Sequence, residues 1–190
     1  MRLFVALQLP DTAIQSITRI QDKLKGEIGA DRWQPLANLH LTLHFLGDVE
    51  DSLIPLICKD MDLVSSIIEP FTLVLGSFGA FPRAEKPRVL WLGLNGQRKV
   101  LSQLHLLLGK RFDLHEGLHY DRRPYHPHIT LARGPHVPVL PLLEWDERLL
   151  EMPPARWQAR EVHLFRSELR PEGAVHTVIH TSRFQKLLDS

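Results

Sequence analysis

The chain has 190 residues, and its 23 Lys and Arg against 22 Asp and Glu give a formal net charge of +1. This length suffices for one compact domain with a sizeable core. The hydrophobic share of 44% and charged share of 24% exclude a disordered tail, a coiled coil and a collagen-like fibre. The near-zero charge argues against nonspecific coating of nucleic acid. The one cysteine, Cys58, excludes an internal disulfide framework and a multi-cysteine zinc site.

The predicted elements begin with a short apolar strand at residues 1–7. It is too short for an export signal, and no stretch approaches the roughly 20 apolar residues of a membrane span, so we expect a cytoplasmic protein without membrane contacts. Asp11 or Thr12 then begins a helix with apolar residues at helical spacing. Residues 39–47 alternate apolar and polar and predict a strand.

The remaining elements follow the same two periodicities. A helix after Asp51 or Ser52 has one apolar face, made of Leu53, Leu56, Ile57, Met61, Val64 and Ile67. Further on, the periodicities predict strands at 71–78 and 89–94, a helix at 97–114 ending near Gly117, a strand at 126–132, a short helix at 144–150, and strands at 160–165 and 174–181. This order predicts an α+β or a mixed α/β fold with several antiparallel hairpins.

A short motif occurs twice, almost half the chain apart. His40-Leu41-Thr42-Leu43 and His128-Ile129-Thr130-Leu131 both read H-x-T-L on a predicted strand, and Gly47 and Gly134 follow them. The duplication indicates two pseudo-equivalent lobes, each presenting one such strand. We therefore expect a single domain over residues 1–190, organised as two similar halves.

Strand geometry decides which of these side chains share a face. Residues i and i+2 point to the same side, so His40 lies beside Thr42, and His128 beside Thr130. The same alternation puts His44 on the face of His40, in the cleft or in solvent, without an assigned role. It directs a set of apolar residues into the core: Leu41, Leu43, Phe45, Ile129 and Leu131. If the two lobes face each other, one cleft holds two imidazoles and two hydroxyls.

This set of groups suits phosphodiester cleavage without a metal. The displacement needs a base for the attacking oxygen and an acid for the leaving oxygen, and two imidazoles near pKa 6.5 can share these tasks. Threonine hydroxyls can donate to the non-bridging phosphate oxygens as charge develops. The chemistry of the residues leaves open which histidine is the acid and which the base.

A metal site is the alternative for one of the motifs. His126 and His128 form an H-x-H pair, and imidazole is the commonest metal ligand. No carboxylate lies at helical or strand spacing from either motif, although zinc and iron sites usually recruit one. The sequence therefore favours a site without metal or other cofactor.

The two motif segments resemble a known family. HLTLHFLG at 40–47 and HPHITLAR at 126–133 are similar to the paired H-x-T signatures of the 2H phosphoesterase superfamily. The closest resemblance is to its RNA 2′,3′-cyclic phosphodiesterase branch, also called the 2′-5′ RNA ligase family. The opening residues 2–10, the segment 162–169 and the last strand after Gly173 also fit this branch, so the likeness covers essentially the whole chain.

The resemblance implies a fold and an activity. The implied fold is bilobal, pseudo-symmetric α+β, with two antiparallel sheets flanking a central cleft and helices outside. The implied activity is metal-independent hydrolysis of a terminal RNA 2′,3′-cyclic phosphate to a 2′-phosphate, with reversible 2′-5′ RNA ligation as a weak side activity. The family pattern suggests His40 as general acid and His128 as general base.

By the same resemblance, Thr42, Thr130 and Arg133 hold the phosphate. Strict alternation, however, puts Arg133 on the face opposite to His128 unless the strand ends or bulges near Gly134. In the last strand, His176 stands about where this branch often has tyrosine.

The expected partner is RNA with a 2′,3′-cyclic phosphate end, such as a tRNA fragment, or a small cyclic nucleotide, bound by a monomer. Exposed cations and rings near the cleft are candidates for RNA contacts: Tyr125, Arg123, Trp33, Arg122, Arg83, Lys86 and Arg88. Trp91 is expected in the core. Two alternatives remain, a noncatalytic RNA-binding module whose motifs only grip a phosphate, and a metal-dependent hydrolase that uses His126 and His128.

Overall fold

A computed structural model of the chain describes residues 1–136, 142–150, 153–171 and 173–185. The helices are α1 Asp11–Lys25, α2 Ile54–Ser65, α3 Arg98–Phe112 and α4 Leu142–Leu149. The strands are β1 Arg2–Gln8, β2 Ala30–Trp33, β3 His40–Asp48, β4 Phe71–Phe81, β5 Val89–Gly96, β6 His128–Pro135, β7 Arg156–Ala159, β8 Glu161–Arg170 and β9 Gly173–Arg183.

The strands form two sheets in which every neighbouring pair is antiparallel. The first sheet has the order β3-β1-β8-β9, and the second has the order β2-β6-β5-β4-β7. The two motif strands, β3 and β6, lie against each other where the sheets meet. The fold is therefore the α+β, two-sheet arrangement that was expected.

The lobes are not successive halves of the chain, and the expectation of two similar halves is wrong in this respect. The first sheet joins β1 and β3 to the last two strands, β8 and β9. The second sheet consists of β2 together with β4, β5, β6 and β7. Each motif strand is nevertheless the last element of an equivalent strand–helix–strand unit. The unit is β1–α1–β3 in the first sheet and β5–α3–β6 in the second. The echo in the sequence therefore corresponds to a structural echo between sheets.

Apolar strand faces and helices form the core. α2 contacts β8 and β9, and α3 contacts β3, so both cover the first sheet; α4 contacts β4 of the second sheet. Leu41 of β3, Ile129 of β6 and Leu104 of α3 are fully buried in this shared core. Among the described residues, every helix is too short or too polar to cross a bilayer.

Several local expectations were wrong for identifiable reasons. The four-residue strands β2 and β7 were missed, because neither is long enough to show a clear period. Leu56 and Ile67 were assigned to the apolar face of α2, but they are 41% and 57% exposed; Leu56 lies beside the buried face and Ile67 lies beyond the last residue of the helix. Gly117, with φ of 83°, lies in a turn beyond the last residue of α3.

Candidate active site

The two histidines of the repeated motif are held in the same way on their two strands. His40 Nδ1 lies 2.7 Å from the carbonyl oxygen of Asn38, and His128 Nδ1 lies 2.7 Å from that of His126. A carbonyl oxygen only accepts hydrogen bonds, so Nδ1 carries a proton in both rings. Each imidazole therefore keeps Nε2 available for proton transfer to or from a ligand.

A bulge follows each H-x-T segment at the equivalent residue. On β3, Thr42 faces Ala6 and His44 faces Val5, which leaves Leu43 without a partner on β1. On β6, the residues before and after Leu131 face consecutive residues of β5, so Leu131 is likewise extra. A bulge shifts the alternation of all later side chains by one position.

The bulge in β6 decides the position of Arg133. Leu131 and Ala132 are both buried, and Arg133 returns to the side of His128, where it lines the cleft. The carbonyl oxygen of Leu131 accepts hydrogen bonds from the backbone N–H of Gln34 and from Nε2 of buried Gln21, both at 2.9 Å. The side chain of Gln21 and the backbone of Gln34 therefore stabilise the bulge. Because of the bulge, Arg133 lies on the same face as His128, which strict alternation did not allow.

The equivalent bulge in β3 corrects two expectations. His44 was placed on the face of His40, but it is 2% exposed and packs against α3, with Nε2 2.9 Å from the carbonyl oxygen of His105. Phe45 was placed in the core, but it is 50% exposed and lines the cleft. Phe45 and Arg133 thus occupy equivalent positions after their motifs, and the pseudo-symmetry is broken there.

The cleft between the sheets consists of two adjoining cavities. The first cavity, about 600 Å³, is lined by Thr42, Phe81, Arg88, Tyr125, His128 and Thr130 among others. The second cavity, about 820 Å³, is lined by Arg2, Arg32, Asn38, His40, Ser167 and His176 among others. Four residues line both cavities, and they mark the junction: Phe45, Asp121, Arg123 and Arg133. The structure thus brings both motifs to one continuous cleft.

Aromatic rings surround the two histidines. The His40 ring lies 4.8 Å from that of Phe4 and meets the ring of His176 edge-on at 5.5 Å. The His128 ring meets that of Phe81 edge-on at 4.9 Å. These contacts restrict both imidazoles to the orientation that their Nδ1 hydrogen bonds impose.

Burial and neighbouring positive charges disfavour protonation of both imidazoles. Burial, followed by the charge of His176, lowers the pKa of His40 to about 4, and His128 and Arg133 act in the same direction. Burial also lowers the pKa of His128, with smaller contributions from His126 and Arg133. The Nδ1 hydrogen bonds raise both pKa values but do not offset burial. Both histidines are therefore neutral in the free protein at pH 7.

Tyr125 lies at the cleft but has a structural role. It donates a hydrogen bond from its hydroxyl to the carbonyl oxygen of Thr42 at 3.3 Å, and burial raises its pKa. Its ring is stacked on that of His105 at 4.0 Å, and His105 is stacked in turn on His44 at 4.1 Å. Tyr125 is therefore held in place in the wall of the first cavity, and its contact with RNA stays a prediction.

Neither tryptophan lies in the position expected for it. Trp33 packs against the core, with Lys25 Nζ 5.8 Å from its ring, because its neighbours Arg32 and Gln34 take the cleft side of the chain. Trp91 was expected in the core, but its ring lies 5.9 Å from that of His128 and 4.9 Å from that of His126. Trp33 is thus outside the cleft, and Trp91 supports its wall.

The basic candidates separate by position. Arg88 lines the first cavity, and Arg123 lies at the junction, where it forms an ion pair with Asp121. Arg122 pairs instead with Asp113 at 2.7 Å. Arg83 and Lys86 line neither cavity, and neither does Arg122, so these three predicted contacts do not lie in the cleft.

The cleft also holds residues that the sequence did not single out. The strand order brings Arg2 and Arg32 to the cleft, and Asp121 is held there by the hydrogen bond that its backbone N–H donates to the carbonyl oxygen of Phe45. Phe45 was missed because strict alternation ignores a bulge. The sequence did contain a clue to its position. Phe45 follows His40 by five residues, just as Arg133 follows His128, so a bulge that turns Arg133 towards the cleft predicts an equivalent bulge that turns Phe45.

The His126 and His128 pair gains no further ligands in the described part of the chain. His128 uses Nδ1 for the carbonyl of His126, and the His126 ring packs against those of Trp91 and Phe81. Within residues 1–136, 142–150, 153–171 and 173–185, no three His, Cys, Asp or Glu side chains are arranged to hold a metal ion.

Two sheets with paired H-x-T strands at one cleft define the class of 2H phosphoesterases. The chain belongs to the 2′-5′ RNA ligase superfamily, whose family model matches residues 9–171. This confirms the family that the two motif segments resemble.

Curated relatives that match almost the whole chain share one name. A Thermus thermophilus protein is 34% identical and covers 94% of this chain and 88% of its own length. A Methanothermobacter thermautotrophicus protein is 32% identical and covers 96% of this chain and 98% of its own. Both are named RNA 2′,3′-cyclic phosphodiesterase, a hydrolase that acts on phosphodiester bonds, which confirms the expected enzyme class.

Solved structures confirm the fold. A crystal structure of a Thermus thermophilus protein matches with a TM-score of 0.78 and E. coli LigT in apo form with 0.77, each at 28% identity over 97% of this chain and 98% of the other. E. coli LigT has also been solved in complex with 3′-AMP and matches with a TM-score of 0.74 at 27% identity.

Proposed function

We propose that this protein hydrolyses the 2′,3′-cyclic phosphate at an RNA end to a 2′-phosphate by metal-independent catalysis with two histidines. The observation that carries the proposal is the pair of H-x-T strands, which present two identically held imidazoles to one cleft beside Arg133. The name shared by the curated relatives supports this substrate.

The reaction is one displacement at phosphorus. Neutral His128 accepts a proton from water through Nε2 as the water oxygen bonds to phosphorus. The bond from phosphorus to O3′ breaks, and protonated His40 donates its Nε2 proton to O3′, giving a 2′-phosphate and a free 3′-hydroxyl. The family pattern supports this assignment of acid and base.

Three side chains are suited to hold the phosphate during this step. Thr42 and Thr130 line the first cavity beside the imidazoles, and Arg133 reaches the junction. Hydroxyl and guanidinium groups donate hydrogen bonds to the non-bridging oxygens, where negative charge increases in the transition state. The anionic substrate also favours the protonated form of His40, which counteracts the low pKa of this residue in the free protein.

Ligation is the same chemistry run with a different nucleophile. If the 5′-hydroxyl of a second RNA replaces water, it bonds to phosphorus, O3′ leaves with a proton, and a 2′-5′ linkage forms. Water greatly outnumbers RNA ends, so we propose ligation as a weak side activity.

The test is product analysis with a cyclic-phosphate-ended RNA and a nucleoside 2′,3′-cyclic phosphate in excess EDTA. We expect a 2′-phosphate product, and a loss of about 10²–10⁴ in kcat for His40→Ala and for His128→Ala, because each removes one proton-transfer group. His119→Ala, an exposed residue outside both cavities, is the matched control. A 3′-phosphate product, full activity of either histidine variant, or activity abolished by EDTA would contradict the proposal.

A further inference from the structure

The second cavity is lined by several arginine side chains and is larger than a cyclic phosphate alone requires. Its 820 Å³ is within the range of ligand sites for whole small molecules, and it extends from His40 away from the first cavity. Arg2 of the first sheet and Arg32 of the second sheet line it from opposite sides. Neither forms an ion pair with any residue that the structure describes.

Two of its arginines oppose each other directly. Arg32 of β2 faces Arg133 of β6 in the antiparallel register, and both side chains line the second cavity. Like charges directly opposite on neighbouring strands are destabilising. Asp121, the one carboxylate among the described residues that line this cavity, is already paired with Arg123. The facing pair Arg32 and Arg133 therefore favours a bound anion with more than one charged group.

The direction of the displacement links this cavity to the RNA chain. Attacking water and departing O3′ lie on opposite sides of phosphorus, and O3′ belongs to the ribose that carries the rest of the RNA. With His40 as the acid, that ribose lies on the His40 side of the junction, and His40 lines the second cavity. The first cavity, on the His128 side, then receives the water.

We propose that the second cavity binds the RNA strand on the 5′ side of the cyclic phosphate, and that Arg2 and Arg32 contact its backbone phosphates. This inference rests on the proposed function, including His40 as the acid. It makes the protein selective for oligoribonucleotides over mononucleotides, because only an oligonucleotide has phosphates that reach both arginines.

The experiment compares two substrates, a nucleoside 2′,3′-cyclic phosphate and a trinucleotide with the same terminal nucleotide. For the double variant Arg2→Gln/Arg32→Gln we expect kcat/KM on the trinucleotide to fall by about tenfold or more, and the slope of its logarithm against the logarithm of salt concentration to shrink by about 1–2. We expect kcat/KM on the mononucleotide to change less than about twofold, because the terminal phosphate contacts neither arginine.

Two further variants make the result specific. Arg98→Gln/Lys99→Gln removes two exposed charges at the start of α3, outside both cavities, and should leave both substrates unaffected. Arg88→Gln removes a cation that lines the first cavity. A trinucleotide-specific loss in Arg88→Gln instead of the Arg2 and Arg32 variant would overturn the inference, as would equal losses on both substrates or no loss. Failure of the proposed function is recognised separately, since the unaltered protein would then hydrolyse neither substrate.

Discussion

At the scale of single residues, one hydrogen bond fixes the orientation of each histidine ring of the repeated motif. The carbonyl two residues earlier in the chain binds Nδ1 and so determines which nitrogen faces the cleft. Strand alternation predicted that each histidine shares a face with its threonine, and both threonines line the first cavity. It could not predict the low pKa values, because these depend on burial and on charges from distant parts of the chain.

The pH dependence of the reaction follows from these pKa values. The proposed mechanism requires one imidazole to be protonated and the other neutral, and both pKa values in the free protein lie below the ordinary 6.5. Above the higher of the two, we expect kcat/KM to fall about tenfold per pH unit, so the decline is under way by about pH 6.5. The measurement is the pH profile of kcat/KM for a nucleoside 2′,3′-cyclic phosphate.

Arg133→Met provides the internal comparison for this profile. Its positive charge lowers the pKa of both histidines, so its removal should move the alkaline decline to higher pH although the rate is lower throughout. An unaltered protein whose kcat/KM stays level up to about pH 8 would contradict the expected pKa shifts.

At the scale of elements, the two bulges determine what the cleft presents. One extra residue in each strand brings Phe45 and Arg133 into the cleft and turns His44 into the core. The sequence predicts the strands and raises a bulge near Gly134 only as a condition, since the bulges themselves depend on the pairing with β1 and β5. Phe45 is an exposed ring at the junction of the two cavities, whereas Trp33 lines neither cavity.

The bulge in β6 depends on a buried amide of α1. Gln21 Nε2 donates to the carbonyl oxygens of Leu131 and Gln34, at 2.9 and 3.0 Å. Gln21→Met keeps the approximate shape but leaves the carbonyl of Gln34 without this donor, so we expect a loss of about 1–3 kcal/mol in the free energy of unfolding. Because Arg133 follows the bulge, kcat/KM should fall as well. Denaturant unfolding and steady-state kinetics measure the two effects.

The control for this substitution lies on the same helix. Gln15 is exposed on α1, and Gln15→Met should leave both stability and activity unchanged. If Gln21→Met behaves like Gln15→Met, the amide does not hold the bulge.

At the scale of the whole molecule, a stack of three rings ties separate parts of the fold together. His44 belongs to β3, His105 to α3 and Tyr125 to the segment that leads into β6. Tyr125 then bonds back to Thr42, so the stack connects the helix behind the first sheet to both motif strands. Because the stack is buried between these parts, the stability of the fold depends on its two imidazoles being uncharged.

This dependence predicts a loss of stability in acid. Burial, followed by the charge of His44, lowers the pKa of His105 to about 4, and burial lowers that of His44. Unfolded histidine titrates near pKa 6.5, so between pH 6.5 and about 4 the unfolded chain binds more protons than the folded one. Stability therefore falls as pH falls through this window, and thermal unfolding across it measures the slope.

A ring that cannot titrate should weaken this effect. His105→Phe preserves stacking with His44 and Tyr125, so its Tm should depend less steeply on pH between 6.5 and 4. His119→Gln, an exposed position, should keep the slope of the unaltered protein. Equal slopes for all three proteins would show that the stack does not contribute.

The sequence by itself determined which groups each motif strand presents together, because an H-x-T segment on a strand places an imidazole and a hydroxyl on one face whatever the strand packs against. It also determined the family, since both motif segments are contiguous in the chain. Only the tertiary structure decided that the strands of the two ends combine in one sheet, that a bulge turns Arg133 and Phe45 into the cleft, and that Arg2 and Arg32 meet across the second cavity. These features arise from pairing between residues far apart in sequence, and the periodicity of one segment carries no information about its partner strand.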